Sequence, residues 1–166
     1  MKKTFFLSAV MVGLILVTAS CKKPKVTSGF DDSAKQETEL TEAKNEIVAA
    51  AETFVIALNK GDSIGLANCY TSDAKLMQPN GKSIVGRENI QKLFSGWIKA
   101  GIPRFSMKTI GVWGDKEVMV AEEEWIFSDA QGKILDSGKS LEMYKKEDGK
   151  WKLFRDCYNS DLPLTK

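Results

Sequence analysis

The 166-residue chain has no histidine. This removes Ser-His-Asp and Cys-His nucleophile systems, histidine metal sites and the side chain most used for proton transfer near neutral pH. Any catalysis would rest on carboxylates and tyrosines. Cysteine is scarce, with three residues, and neither a Cys-x-x-Cys pair nor an acidic calcium loop occurs, so the sequence implies no metal and no cofactor. An excess of one charge is missing as well. The 24 basic residues face 22 acidic ones and are scattered rather than striped, which gives no reason to expect a nucleic-acid partner. "NGKS" at Asn80–Ser83 and "GKS" at Gly138–Ser140 suggest phosphate loops, but the glycine needed upstream is Leu76 in one case and Lys133 in the other. Both read as turns. Internal repeats are absent too.

What is present begins with "MKKTFFLSAVMVGLILVTASC": Lys2 and Lys3, an apolar run from Phe5 to Val17, then Ala19, Ser20 and Cys21. The run is too short to cross a bilayer, which takes about 20 apolar residues. Residues 1–20 have the three parts of a secretory signal. With a cysteine directly after small residues they resemble a bacterial lipoprotein signal cleaved before a lipidated Cys21. Thr18 stands where that motif usually carries Leu, so a secreted soluble protein is the alternative. Lys22, rather than an acidic residue, follows the cysteine; by analogy with lipoprotein sorting this points to the outer membrane, facing the periplasm. Residues 21–38 are polar, carry Pro24 and Gly29 and lack apolar periodicity, so they read as a flexible tether. Disulfides are permitted in this compartment, yet no spacing demands one. Cys69 and Cys157 are expected to be small buried thiols, with a bridge between them as the alternative.

Residues 39–163 suffice for one domain with one core. From Glu37 to Lys60 the residues Leu40, Ile47, Ala51, Phe54, Val55 and Leu58 recur at helical spacing, and Gly61 ends the helix. Asp62 caps a short second helix, "SIGLANCY", with Leu66, Ala67 and Tyr70 facing inward. In "AKLMQPNGKSIVG", Pro79-Asn80-Gly81 between two brief apolar runs predicts a small hairpin. A third helix, "RENIQKLFSGWIKAG", has Ile90, Leu93, Phe94, Trp97 and Ile98 on one stripe. Beyond Arg104 the period changes to two, giving strands near 104–113, 117–127, 137–146 and 150–158 joined by tight turns. The expected class is α+β, with three helices packed on a curved antiparallel sheet.

The run "FVIALNKGDSIGLANCYTSDAKLMQPNGKSIVGRENIQKLF", followed by four strands and "YKKEDGKWKLFRDCYNSD", resembles the nuclear transport factor 2-like superfamily. Within it the chain is closest to the SnoaL-like group, itself similar to the association domain of calcium/calmodulin-dependent protein kinase. The resemblance spans about Leu40 to Leu162 and lies in the order of Gly61-Asp62, "YTSDA", "GRENI" and "EDGKWK". It implies a cone whose sheet wraps the helices, with a pocket at the open mouth and a homodimer formed through the other sheet face. Members include isomerases, dehydratases, cyclases and binding or assembly modules, so function must be argued from the site.

The last strand poses the sharpest question, because "DGKWKLFRDCYNSD" gives neither face a clean apolar set. If "EDG" is a three-residue loop, Glu142 and Tyr144 share a face with Phe154, Asp156 and Tyr158, leaving Leu141, Met143, Trp151 and Leu153 opposite. A two-residue "DG" loop exchanges the partners. The first register combines aromatics with two acids and suits a cavity for a small apolar ligand with a polar group, closed by Tyr70, Met77 and Trp97. There Asp156 is the candidate base or anchor; the alternative is that Asp156 pairs with Arg87, Arg104 or a neighbouring strand. A carboxylate pair at Glu122 and Glu124, about 7 Å apart along one strand face, is a weaker candidate than a solvated edge. Two functions follow: a membrane-tethered ligand-binding or assembly module, or a cofactor-free isomerase or hydratase using a carboxylate and a tyrosine.

Overall fold

The computed structural model of the chain describes residues 29–163. The leader, Cys21 and its lipidation, and the first part of the tether lie outside them. The elements run α1 (Gly29–Asn59), α2 (Ser63–Asn68), β1 (Tyr70–Met77), β2 (Ile84–Val85), α3 (Arg87–Ala100), β3 (Arg104–Gly114), β4 (Met119–Ser128), β5 (Ile134–Glu147) and β6 (Lys150–Ser160). The stripe on α1 buries Ala43, Ile47, Ala51, Phe54 and Leu58. The helix nevertheless starts well before Glu37, so residues 29–38, expected to be tether, form its first turns. Ser33 to Glu39 are exposed. Strong helix formers at Ala34, Lys35, Gln36 and Glu37 sustain these turns without a packing face, which a search for apolar periodicity passes over.

Asp62 caps α2 by accepting from the Gly65 amide at 2.8 Å. Tyr70 does not end that helix. It is the first residue of β1, because Cys69 closes α2 and its carbonyl accepts from the Leu153 amide of β6. The strand order is β2-β1-β6-β5-β4-β3. All neighbours are antiparallel except β1 and β6, which run parallel. This is the expected α+β cone: α1 and α3 lie on the concave face of a curved sheet, and the core fills the space between.

Register resolves the last strand. Glu147 pairs with Lys150, so the turn is the two-residue Asp148-Gly149 with φ of 54° and 74°, a left-handed pair matching the twist of a hairpin. The three-residue loop is therefore overturned. Tyr144 pairs with Leu153, but Met143 pairs with Arg155, leaving Phe154 as a bulge. The bulge shifts the alternation by one residue in mid-strand. Trp151 and Leu153 before it, and Asp156 and Tyr158 after it, thus all face inward, and Phe154 turns out to the other face under Lys145 and Arg155.

Candidate functional site

The concave face of β4, β5 and β6 is laid out in cross-strand rows. One row reads Ala121, Glu142, Asp156; the next reads Glu123, Ser140, Tyr158; the third reads Trp125, Gly138, Ser160. Acids thus occupy the centre of the inner face, where alternation along each strand places apolar residues. Phe54 and Leu58 of α1 and Phe94 and Trp97 of α3 cover them from the helix side. Between the layers lies a cavity of about 60 Å³, walled mainly by these residues with Phe105, Trp125 and Phe127, and floored by Ser140, Glu142 and Asp156. Trp97, Trp125, Phe127 and Tyr158 also border an outer depression of about 490 Å³, reaching Pro79, Leu135, Asp136 and Ser160. These four side chains lie between the cavity and this outer vestibule and border both.

Neutral hydroxyls hold the floor acids. The Tyr70 hydroxyl donates to Asp156 Oδ2 at 2.6 Å, the Tyr144 hydroxyl to Glu142 Oε2 at 2.6 Å, and Ser140 Oγ to Glu142 Oε1 at 3.1 Å. Glu123 is completely buried beside them. Its Oε1 accepts from Thr109 at 3.0 Å, while its Oε2 has no partner. Trp125 Nε1 in the cavity wall is likewise buried and unpaired.

With no cation set against them, the acids resist ionising. Burial, then the neighbouring Asp156 charge, pushes Glu142 up to about 8, although the Tyr144 and Ser140 hydroxyls oppose this. Burial pushes Asp156 up to about 6 against the Tyr70 hydrogen bond, and Glu123 up to about 7 against that of Thr109. Glu142 and Asp156 are direct cross-strand partners, so they titrate as a pair in two steps. One proton shared between them at neutral pH is the expected state. Burial also raises the Tyr158 hydroxyl to about 12.

The arginines expected as alternatives for Asp156 are engaged elsewhere. Arg87 binds Glu147, and its Nε donates to the Tyr70 carbonyl at 2.8 Å. Glu147 also accepts from Lys152 at 2.9 Å and from the Ser72 amide at 2.8 Å, so it fastens α3, β1 and β6 at the rim and sits well below the usual carboxylate range. Arg155 stacks on Phe154, and Arg104 is exposed.

Of the sequence-predicted pocket residues, Trp97, Glu142, Asp156 and Tyr158 line the cavity. Tyr70 and Tyr144 do not close it; they lie beneath its floor as fully buried donors to the two acids. Met77 falls on the opposite side of β1, where Leu76 reaches the wall instead. Phe154 is turned away by its bulge. Glu122 and Glu124 are exposed on the outer face, and the acid that matters on β4 is the one between them. Glu123, Ser140 and most of the aromatic wall were not anticipated. The signal for Glu123 is parity, since it alternates with Met119, Ala121, Trp125 and Phe127, the more apolar of the two strand faces. Cys69 is a half-buried free thiol that burial pushes up to about 11, and Cys157 is free but exposed, not buried. Among the described residues no cluster of His, Cys, Asp and Glu could hold a metal, and no helix is long and apolar enough to cross a membrane.

A family profile for the SnoaL-like domain matches residues 51–154, from the last third of α1 through α2, α3 and β1 to β5 as far as the Phe154 bulge, and ends before Asp156 and Tyr158. The chain belongs to the SnoaL-like domain family. Among solved structures this SnoaL-like domain is similar to a ketosteroid isomerase-like protein from Erwinia carotovora atroseptica, with 20% identity, a TM-score of 0.63, and coverage of 74% of this chain and 98% of that one. It is similar to a protein of unknown function from Mycobacterium tuberculosis, at 23% identity and a TM-score of 0.62 over 84% and 79% of the two chains. A third likeness is to a calcium/calmodulin dependent protein kinase II association domain, so described, from Xanthomonas campestris, at 21% identity and a TM-score of 0.55 over 68% and 84%. Identities this low establish the nuclear transport factor 2-like fold and nothing finer. No curated protein matches the chain.

Proposed function

We propose that this SnoaL-like domain binds a small, largely apolar ligand whose polar group rests on the Glu142–Asp156 pair, and that lipid on Cys21 tethers it in the cell envelope at the periplasmic side of the outer membrane. The observation that carries the binding reading is an acid pair at the floor of a cavity walled mainly by aromatic rings, with Leu58, Leu76 and Met107. Such a site has the usual composition of a ligand pocket, apolar walls with a few convergent polar groups. Crystals soaked with cyclopentanone or 1-butanol test it. The probe should lie in the cavity with its oxygen within hydrogen-bond reach of Glu142 or Asp156; a cavity that stays free of probe, with probes only on the surface, contradicts the reading.

Pairing through the convex sheet face would cover exposed apolar residues that lie there. In register, Trp113, Ile126 and Leu141 share that face, and each is more than a third exposed. A homodimer would cover them.

The cross-strand pairing of the two buried acids favours one further reading. A pair of buried acids that holds one proton between them could take a proton from one carbon of a β,γ-unsaturated ketone and return one to another, with no net change in protonation of the pair. One member would act as the base and the other as the donor. Conversion of cyclohex-3-enone to the conjugated isomer, lost in Asp156→Asn, is the matching assay.

A further inference from the structure

The class of ligand follows from what the cavity lacks, and this inference rests on the ligand-binding reading above. Among the described residues, no lysine or arginine borders the cavity or the vestibule. Three acids nevertheless gather on neighbouring strands: Glu123 of β4, Glu142 of β5 and Asp156 of β6. Every hydrogen bond that the structure gives to Glu142 and Asp156 comes from a neutral hydroxyl. Glu123, beside the cavity lining rather than in it, is fully buried and its Oε2 has no partner. The rings of Phe54, Phe94, Trp97, Phe105, Trp125 and Phe127 border the cavity itself.

We propose that the cavity takes an organic ammonium, its cationic head on the carboxyls of the floor and its apolar part passing between Trp97 and Trp125 into the vestibule.

A buried acid cluster without a cation is unfavourable, and a cation that enters removes that cost while expelling the shared proton. An alkylammonium brings three N–H donors for the Glu142 and Asp156 carboxyls, which now have only hydroxyls. It also meets aromatic faces, whose quadrupoles attract cations most when water is excluded. A neutral alcohol can donate one hydrogen bond to the carboxyls and a ketone none, and neither gains from the charge. Size agrees: a cavity of about 60 Å³ holds on the order of five water-sized atoms, which suits the head and short chain of n-butylammonium.

The titratable groups that face the floor are Tyr70 from β1, Tyr144 from β5 and Tyr158 from β6, with Asp136 of β5 at the vestibule and Glu123 on β4. From α1 and α3 come Phe54, Leu58, Phe94 and Trp97, none of which titrates. The acids therefore set the pH dependence. Binding of an ammonium should strengthen as pH rises from 6 to 8, where the floor sheds its protons while the amine keeps its own.

The test compares n-butylammonium with 1-butanol on the full chain, following the four indole N–H signals by NMR. Trp97 and Trp125 border the cavity, whereas Trp113 is on the convex face and Trp151 lies elsewhere, so the latter two serve as internal references. The expected result is that n-butylammonium moves the Trp97 and Trp125 signals at concentrations at least about tenfold lower than 1-butanol, with the preference growing from pH 6 to pH 8. Glu142→Gln combined with Asp156→Asn should abolish both the preference and its growth with pH. If 1-butanol shifts the same signals equally or better, the pocket stands and the ammonium inference is overturned. If neither probe moves them, the ligand-binding reading falls along with it.

Discussion

Glu142 and Asp156 sit opposite one another on adjoining strands, each buried and each held by tyrosine hydroxyls rather than by a cation. Two charges cannot coexist there without large cost, and the consequence for stability has a definite sign. All three buried acids, Glu123 included, have folded-state values above the ordinary one. The folded protein therefore holds more protons than the unfolded chain from about pH 4 to about pH 8, and stability falls as pH rises through that window. A tenfold change in proton affinity on folding corresponds to about 1.4 kcal/mol, so the three acids together amount to several kcal/mol. A thermal melt should show a Tm higher at pH 5 than at pH 8, by roughly 5–10 °C. Glu142→Gln removes the charge and keeps the shape, so it should flatten this slope and raise Tm at pH 8. A Tm that climbs between pH 5 and pH 8 would mean that the acids are paired in a way the structure does not contain.

At the scale of elements, two glycines of similar appearance in the sequence should respond in opposite ways. A Cβ on Gly138 of β5 would lie 2.0 Å from the Asn159 carbonyl oxygen and 2.2 Å from the Trp125 ring, which crosses the strand there. Gly138→Ala should cost about 2 kcal/mol or more and displace Trp125 from the cavity wall. Gly96, exposed in the middle of α3, has nothing within 4 Å of the same position, and Gly96→Ala should stabilise by up to about 1 kcal/mol. Urea unfolding of both variants checks the contrast. The helices and the four-strand run were legible because their apolar residues keep one period over whole elements. Trp97 is legible as a cavity residue from the same stripe, whereas Asp156 and Tyr158 fall on the cavity side only because the bulge offsets the shorter turn. Phe154, Trp151 and Leu153 were assigned to the wrong faces because a bulge is a tertiary event. Pairing with β5 and the parallel contact to β1 place it, and alternation within β6 alone carries no trace of it. The loop length was misjudged by one residue, and two such shifts cancel for Asp156 while leaving Phe154 outside.

For the whole molecule, the proposals place a small acid-floored cone on a lipid anchor, paired with a second copy. Cys21→Ser should free the protein from membranes after washing, as fractionation followed by immunoblot would show; retention of the variant would remove the lipid anchor. Leu141 is 57% exposed at the middle of the convex face. Leu141→Lys should therefore shift the mass seen by light scattering from dimer to monomer, whereas a monomer for the parent chain would leave that face without its proposed cover. Ligand binding in either form, however, depends on the protonation of the floor. Carbon-detected NMR titration of the side-chain carboxyls, assigned through Glu142→Gln and Asp156→Asn, measures it directly. The pair should titrate in two steps near pH 6 and pH 8, so that a proton is still held at pH 7; two carboxyls that both titrate below about pH 5, as solvated acids do, would contradict the shared-proton floor.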